Sequence, residues 1–312
     1  MSSPPLPAAV TLGTRASTLA RAQTELVVAA LTGAWPGLEC STEVISTTGD
    51  RTQAAGEPLP EIGGKGLFTA ELERALRTGE IDLAVHSLKD LPTEEAPDVV
   101  IGAVCERDDV RDCIVSRDGL GLDDLPAGAI VGTSSLRRAA QVRALWPRLE
   151  IRSIRGNVDT RIRKVRGGEF DAVVLAAAGI RRLGLEAEVA EWLPTEIMLP
   201  APAQGALAVQ CRADDGSALS LLSPVDDGHA RATTTAERTF LREIAAGCTA
   251  PVAAYAEVVD FPSVRLAVLV MSPDGGDVVR AAGEGDPEDV GRRVARMALD
   301  SGADRILAAI RG

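Results

Sequence analysis

Val131-Gly132-Thr133-Ser134-Ser135-Leu136-Arg137-Arg138 passes from a short apolar strand into a helix, with three hydroxyl residues at the junction and two arginines in the first helical turn. The arrangement recurs at Ile154-Arg155-Gly156-Asn157, with Arg161 one turn later, at Ala178-Gly179-Ile180-Arg181-Arg182, and at Gly13-Thr14-Arg15-Ala16-Ser17. Strand–turn–helix units repeated in this way build a mostly parallel sheet with helices on both faces. Their turns emerge at the carboxyl edge of the strands, where open α/β sheets bind ligands. Hydroxyls and free N–H groups at a helix start favour anions, and Arg forks suit carboxylates or phosphates. Four such turns in two domains predict an Arg-lined cleft between them.

Outward from these turns the pattern is regular. Residues 10–13 read as a strand, and Ser17 is placed to cap a helix with Leu19, Ala22, Leu26 and Ala30 on its apolar side. Residues 40–46 alternate as a strand, 47–66 read as a loop, 67–77 as an amphipathic helix and 81–85 as a buried strand. A second series of strands follows at 130–132, 150–154 and 171–176. The stretch Leu199-Pro200-Ala201-Pro202-Ala203-Gln204-Gly205 cannot be helix interior and reads as a crossing between domains. Residues 206–211 then form a strand that returns to the first sheet. A helix at 230–246, strands at 252–259 and 264–270, and a helix capped by Asp286 with Val290, Val294 and Met297 as its stripe complete a small α+β domain. The expected division is 1–104 with 206–223, then 105–205, then 224–312.

The 312 residues carry a formal charge of −12 and are 46% hydrophobic but 3% aromatic. That composition fills real cores and excludes wholesale disorder. An acidic total argues against a nucleic-acid binder. The charge is unevenly spread: residues 131–182 hold eleven Arg and one Lys against four acids, a net +8, which leaves −20 for the remainder. An odd count of five cysteines without a C-x-x-C pair fits neither a disulfide framework nor a common zinc module, so no metal site is expected. No apolar run approaches the roughly 18 residues that span a bilayer, and the first residues do not resemble a signal peptide. The reading is a reduced, cytoplasmic protein with no membrane partner.

Three further stretches carry chemistry. Ala84-Val85-His86-Ser87-Leu88-Lys89-Asp90 sets a carboxylate beside an ammonium just past a buried strand, where Asp90 can stabilise a developing cation. The same spacing equally suits a loop ion pair, and His86 reads as a structural hydrogen-bonding residue. Gly63-Gly64-Lys65-Gly66 fails as a phosphate loop, since Leu59 stands at the first glycine position and Gly66 where Ser or Thr would meet magnesium. It reads as a lid. Cys248 sits in a Gly-Cys-Thr turn after a helix, a setting that suits a reactive thiolate, although no His is near in sequence to activate it.

Thr14-Arg15-Ala16-Ser17, Ile62 through Phe68, His86-Ser87-Leu88-Lys89-Asp90-Leu91-Pro92, Val131 through Arg138, Arg152 through Asn157 with Thr160-Arg161, Gln204-Gly205-Ala206 and Gly247-Cys248 fall in the order and spacing of the hydroxymethylbilane synthases, also called porphobilinogen deaminases. The chain resembles that family over nearly its whole length. The resemblance implies two periplasmic-binding-protein-like doubly wound α/β domains plus a small C-terminal α+β domain, in a monomeric transferase of porphyrin and haem biosynthesis. Such enzymes join four porphobilinogen molecules into 1-hydroxymethylbilane on a dipyrromethane cofactor, which the resemblance places on Cys248 through a thioether. It assigns catalysis to Asp90. Cofactor contacts fall to Ser17, Lys89, Asp90, Thr133, Ser134, Ser135, Arg137, Arg138 and Gly156. Substrate contacts fall to Arg15, Ser17, Ser87, Arg155, Arg161, Gln204 and Gly205, and the lid to Lys65 and Phe68.

Each ring brings two carboxylates, so the basic segment would face a ligand that grows more anionic with every addition. Glu61, Pro202, Ala203 and Ala246 depart from residues common in relatives, and none of these departures removes a catalytic group. The competing reading is a non-catalytic carboxylate-binding two-domain module. It leaves Cys248 unexplained.

Overall fold

Thirteen strands in three sheets organise the described part of the chain. The computed structural model describes residues 6–49, 69–94, 96–244 and 250–311. The chain divides into two units, Met1–Asp108 with Ala206–Arg231, and Asp109–Gly205 with Ala232–Gly312.

In the first unit β1 (Ala9–Arg15), β2 (Glu39–Ile45), β3 (Leu83–Ser87), β4 (Val99–Val104) and β10 (Leu207–Arg212) form a sheet of order β2-β1-β3-β10-β4. β1 runs parallel to β2 and β3, while β10 is antiparallel to β3 and β4. The strand after the Pro-rich segment thus returns to the first sheet, as its position predicts. Alternation along the strands feeds two apolar layers. Val10, Leu12, Leu83 and Val85 pack with Val27 and Leu31 of the helix Thr18–Ala34, whereas Ile45 and Ala84 pack with Leu72, Ala75 and Leu76 of the helix Ala70–Thr78.

The expected stripe on the helix Thr18–Ala34 is out of phase. Ala20, Gln23, Thr24, Val27 and Leu31 are buried, while Leu26 is 50% exposed. Apolar residues surround this helix, so its own pattern does not select a face; contact with the sheet does.

In the second unit β5 (Asp112–Ser116), β6 (Ile130–Gly132), β7 (Glu150–Arg152), β8 (Ala172–Ala176) and β9 (Glu191–Leu193) form a sheet of order β7-β6-β8-β5-β9. β6 is parallel to β7 and β8, and β5 is antiparallel to β8. Val142 and Trp146, at the end of the helix Leu136–Leu145, cover one face with Ile114, Val131 and Val174. Ile162, Val165 and Ile180, from the helices Val158–Arg166 and Ala177–Arg182, cover the other with Cys113, Val115 and Val173.

The same unit contains the antiparallel sheet β11 (Val252–Asp260), β12 (Ser263–Met271) and β13 (Val278–Gly285). Phe240 of the helix Gly228–Glu243 and Val290, Val294 and Ala298 of the helix Pro287–Ala298 build its core. Asp286 caps the latter, accepting from the N–H groups of Glu288 and Asp289, with Pro287 at the first helical position. Met297 does not belong to the stripe: at 43% exposed it lies outside the face set by Val290, Val294 and Ala298. β13, VVRAAGEG, is an edge strand in which two valines are followed by small residues, glycines and two charges, so it does not stand out in sequence. Among the described residues no helix is long and apolar enough to cross a membrane.

Candidate active site

In the first unit the parallel neighbours β1 and β3 end side by side. β1 ends at Arg15, and Ser17 caps the following helix by accepting from the Ala20 N–H at 3.2 Å. β3 ends at Ser87, whose Oγ receives the Gln23 amide Nε2 at 2.9 Å. Next comes a 3-10 turn, Leu88–Asp90, held because Leu88 is buried and its N–H donates to the Ala206 carbonyl at 3.0 Å. With Leu88 anchored inward, Lys89 is half-buried and Asp90 is exposed. Arg15, Ser17, Ser87, Lys89 and Asp90 therefore gather at one sheet edge. Beneath them His86 is buried; desolvation first and the Arg15 charge second lower its pKa to about 4, against a hydrogen bond to Gln210 that raises it. It is a neutral, structural imidazole at pH 7, as its place in a buried strand predicts.

In the second unit the turn after β6 is a network of hydroxyls. Thr133 Oγ1 accepts from the Ser135 N–H at 3.1 Å, and Ser134 Oγ donates to the Ile154 carbonyl at 2.6 Å and lies 2.9 Å from Ser153 Oγ. Ser135 caps the helix Leu136–Leu145. The turn after β7 lies beside it. Gly156 adopts φ +112°, and a Cβ there would stand 2.6 Å from Thr160 Cγ2, so only glycine fits. Its carbonyl accepts from Arg161 Nε at 2.8 Å. Burial, and then the charge of Arg138, pull the Arg161 pKa down to about 10, and among the described residues no carboxylate pairs with it. Arg155 is exposed.

Arg137 and Arg138 are turned inward, 5% and 7% exposed, against Asp112. Burial alone would raise the Asp112 pKa, but the two guanidiniums hold it far below the usual carboxylate range. Gln204 joins the cluster through its Nε2, which donates to Asp112 and to the carbonyls of Val110 and Arg111. Gly205, at φ +91°, accepts from Arg182.

The third Arg turn differs from expectation. Arg181 and Arg182 occupy the last turn of the helix Ala177–Arg182, whose first residues are buried, so they do not flank a helix start. The strand β8 runs directly into this helix and leaves no hydroxyl-lined junction. Asp112, Gln141 and Glu237 carry no motif and are visible only in three dimensions, while Ser153 lies in a quoted stretch but its contact with Ser134 shows only in the fold. Lys65, Phe68 and Cys248 lie outside the described residues.

Residues 10–220 match the family model "Porphobilinogen deaminase, dipyromethane cofactor binding domain", and residues 232–300 match "Porphobilinogen deaminase, C-terminal domain". The chain belongs to the porphobilinogen deaminase family. It is 47% identical to the porphobilinogen deaminase of Brevibacillus brevis over 96% of both chains. It is 47% identical to that of Roseiflexus castenholzii, over 96% of this chain and 98% of the relative. With that of Acidothermus cellulolyticus the identity is 48%, over 96% and 91%. Among solved structures, the methionine-binding protein MetQ shows a distant likeness, at 13% identity and TM-score 0.45 over 70% of this chain and 89% of its own.

The family is one of transferases with a dipyrromethane cofactor, and the residues present fit such a group. A dipyrromethane bearing acidic side chains needs several fixed donors and a positive excess. The second unit supplies the hydroxyls and N–H groups at Ser135, the excess charge of Arg161, and the Nε of Arg137, a buried donor without an acceptor among the described residues.

Proposed function

We propose that the chain is a hydroxymethylbilane synthase that deaminates porphobilinogen and joins four such rings head to tail on a dipyrromethane carried by Cys248. The observation that carries this reading is the partly buried guanidinium of Arg161, which has no carboxylate partner among the described residues. A guanidinium moved out of water without a counter-charge is costly, and an incoming carboxylate relieves that cost. Thr133, Ser134, Ser135, Arg137, Arg138 and Gly156 hold the cofactor's acidic side chains, while Arg155, Arg161, Gln204 and Gly205 take those of added rings. When bound, the dipyrromethane supplies the nucleophilic pyrrole carbon to which rings are added.

Arg15, Ser17, Ser87 and Lys89 orient porphobilinogen beside Asp90. Loss of ammonia leaves an electron-poor ring whose positive charge is shared with the pyrrole nitrogen. The Asp90 carboxylate accepts that N–H and stabilises the cation as it develops. Lys65 and Phe68 are assigned to a lid.

Three other thiols are poor rivals to Cys248 for cofactor attachment. Burial pushes Cys113 up to about 12 and Cys211 up to about 11, and raises Cys40 as well, so none is a ready thiolate at pH 7. Free thiols at Cys40, Cys105, Cys113 and Cys211 support a reduced, cytoplasmic setting. The three separate sheets support a three-domain division at 1–104 with 206–223, 105–205 and 224–312, and the acidic total supports a monomer that does not engage nucleic acid.

Intact mass spectrometry of the chain purified from cells that make porphobilinogen tests the reading. The expected result is a two-pyrrole adduct that is absent from Cys248→Ser. An unmodified wild-type chain, or an adduct retained in Cys248→Ser, would overturn the assignment.

A further inference from the structure

No sequence motif marks Asp112, yet three segments of the second unit meet on it. It opens β5 and is fully buried. Its Oδ2 accepts from Arg137 Nη1 at 2.7 Å. Its Oδ1 accepts from Arg138 Nη2 at 2.7 Å and Nε at 3.2 Å, and from Gln204 Nε2 at 2.9 Å. The same guanidiniums reach further: Arg137 Nη1 donates to the Leu199 carbonyl at 2.8 Å and Arg138 Nη1 to the Val174 carbonyl at 3.1 Å. Gln141, one turn along the helix, donates to the Leu199 carbonyl and accepts from its N–H. One carboxylate therefore ties the first turn of the helix Leu136–Leu145 to β5 and to the segment 199–204.

Two adjacent buried guanidiniums repel each other and, without a counter-charge, would swing toward water or toward whatever carboxylate arrived. With Asp112 between them the cluster carries a single net positive charge, and half of its ten guanidinium N–H donors are already taken. We propose that Asp112 is a positioning residue, a resident counter-ion that locks Arg137 and Arg138 so that the cofactor cradle presents fixed donors instead of mobile cations. The inference rests on the proposed role of this cradle. Its consequence is kinetic: a cradle that shifts by about 1 Å misplaces the reacting ring, and such shifts cost up to about a hundredfold in rate. Of the side chains assigned to porphobilinogen, only Gln204 touches Asp112, and Arg15, Ser17, Ser87, Arg155 and Arg161 do not, so KM changes far less than kcat.

The test compares purified wild type, Asp112→Asn and Asp112→Glu, with kcat and KM expressed per adduct-bearing molecule as counted by intact mass. Asn keeps the shape and removes the charge; Glu keeps the charge and displaces it. Both are expected to lose about tenfold or more in kcat, with KM within about twofold. Leu122→Ala, a core truncation in the same unit, is expected to lower Tm without changing kcat per adduct-bearing molecule. Folded Asp112 variants without adduct, beside a wild type that bears it, would also support the proposal. Wild-type kcat in either variant would overturn it, as would failure of both to fold, which would make Asp112 a folding residue. A wild type without adduct is a different failure and falls on the proposed function.

Discussion

Asp90 ends a turn of three residues whose geometry is set by its neighbours: Leu88 is buried, Ser87 is tied to Gln23, and the carboxylate is left exposed. Its proposed work depends on charge, since the group it faces is a developing cation. Asp90→Asn preserves size and one acceptor while removing that charge. Turnover is expected to fall by at least about a hundredfold, with the adduct mass and Tm unchanged; near-normal bilane release in a continuous assay would refute the role. Arg161 and Arg137 illustrate a different point at the same scale. Both belong to Arg-rich turns, but Arg161 has no carboxylate partner among the described residues while Arg137 is bonded to Asp112. Residue type and spacing mark both as anion-binding candidates. Only the fold shows that one is already engaged by an internal carboxylate.

At the scale of elements, the helix Gly228–Glu243 carries a fully buried carboxylate that stitches separate segments together. Glu237 Oε2 accepts from the Ala203 N–H at 2.6 Å and Oε1 from the Ala256 N–H at 2.7 Å. Ala203 has φ +62°, a left-handed conformation that costs a non-glycine residue, and the Glu237 bond helps to hold it there. Glu237→Ala leaves two buried N–H groups without acceptors and is expected to cost about 3 kcal/mol, roughly 1 to 2 for each orphaned donor. Urea denaturation measures it directly, and a loss below about 1 kcal/mol would mean that water or a neighbour replaces the carboxylate. Helix starts were the most legible elements, because caps such as Ser17 and Asp286 act over three residues. Faces and the edge strand β13 were less so, because burial there is conferred by partners far along the chain.

For the whole molecule, two buried groups divide the acid response into separate windows. His86 has an ordinary pKa of 6.5 in the unfolded chain and about 4 in the fold, so the unfolded state takes up the proton first. Stability contributed by the neutral imidazole is complete above about pH 6.5 and is lost as pH falls toward 4, by at most on the order of 3 kcal/mol. Asp112, held ionised by Arg137 and Arg138, keeps its contribution down to the unfolded Asp value near 4 and loses it only below that. A urea series across pH 3 to 7 is expected to show both limbs, and His86→Gln is expected to flatten the upper one alone. An unchanged upper limb would assign it to other groups. The sequence by itself determined the order of strand–turn–helix units, the caps and the concentration of positive charge in 131–182, because these depend on neighbours within a few residues or on composition. The return of residues 207–212 to the first sheet, by contrast, is read from the Pro-rich crossing before it and is made by pairing with distant strands. The tertiary structure alone decided which face of the helix Thr18–Ala34 is buried, that Arg181 and Arg182 close a helix, and that Arg137 and Arg138 turn inward. The physical reason is separation along the chain: Asp112 meets Arg137 across 25 residues and Gln204 across 92, and no local pattern reports a hydrogen bond formed at that distance.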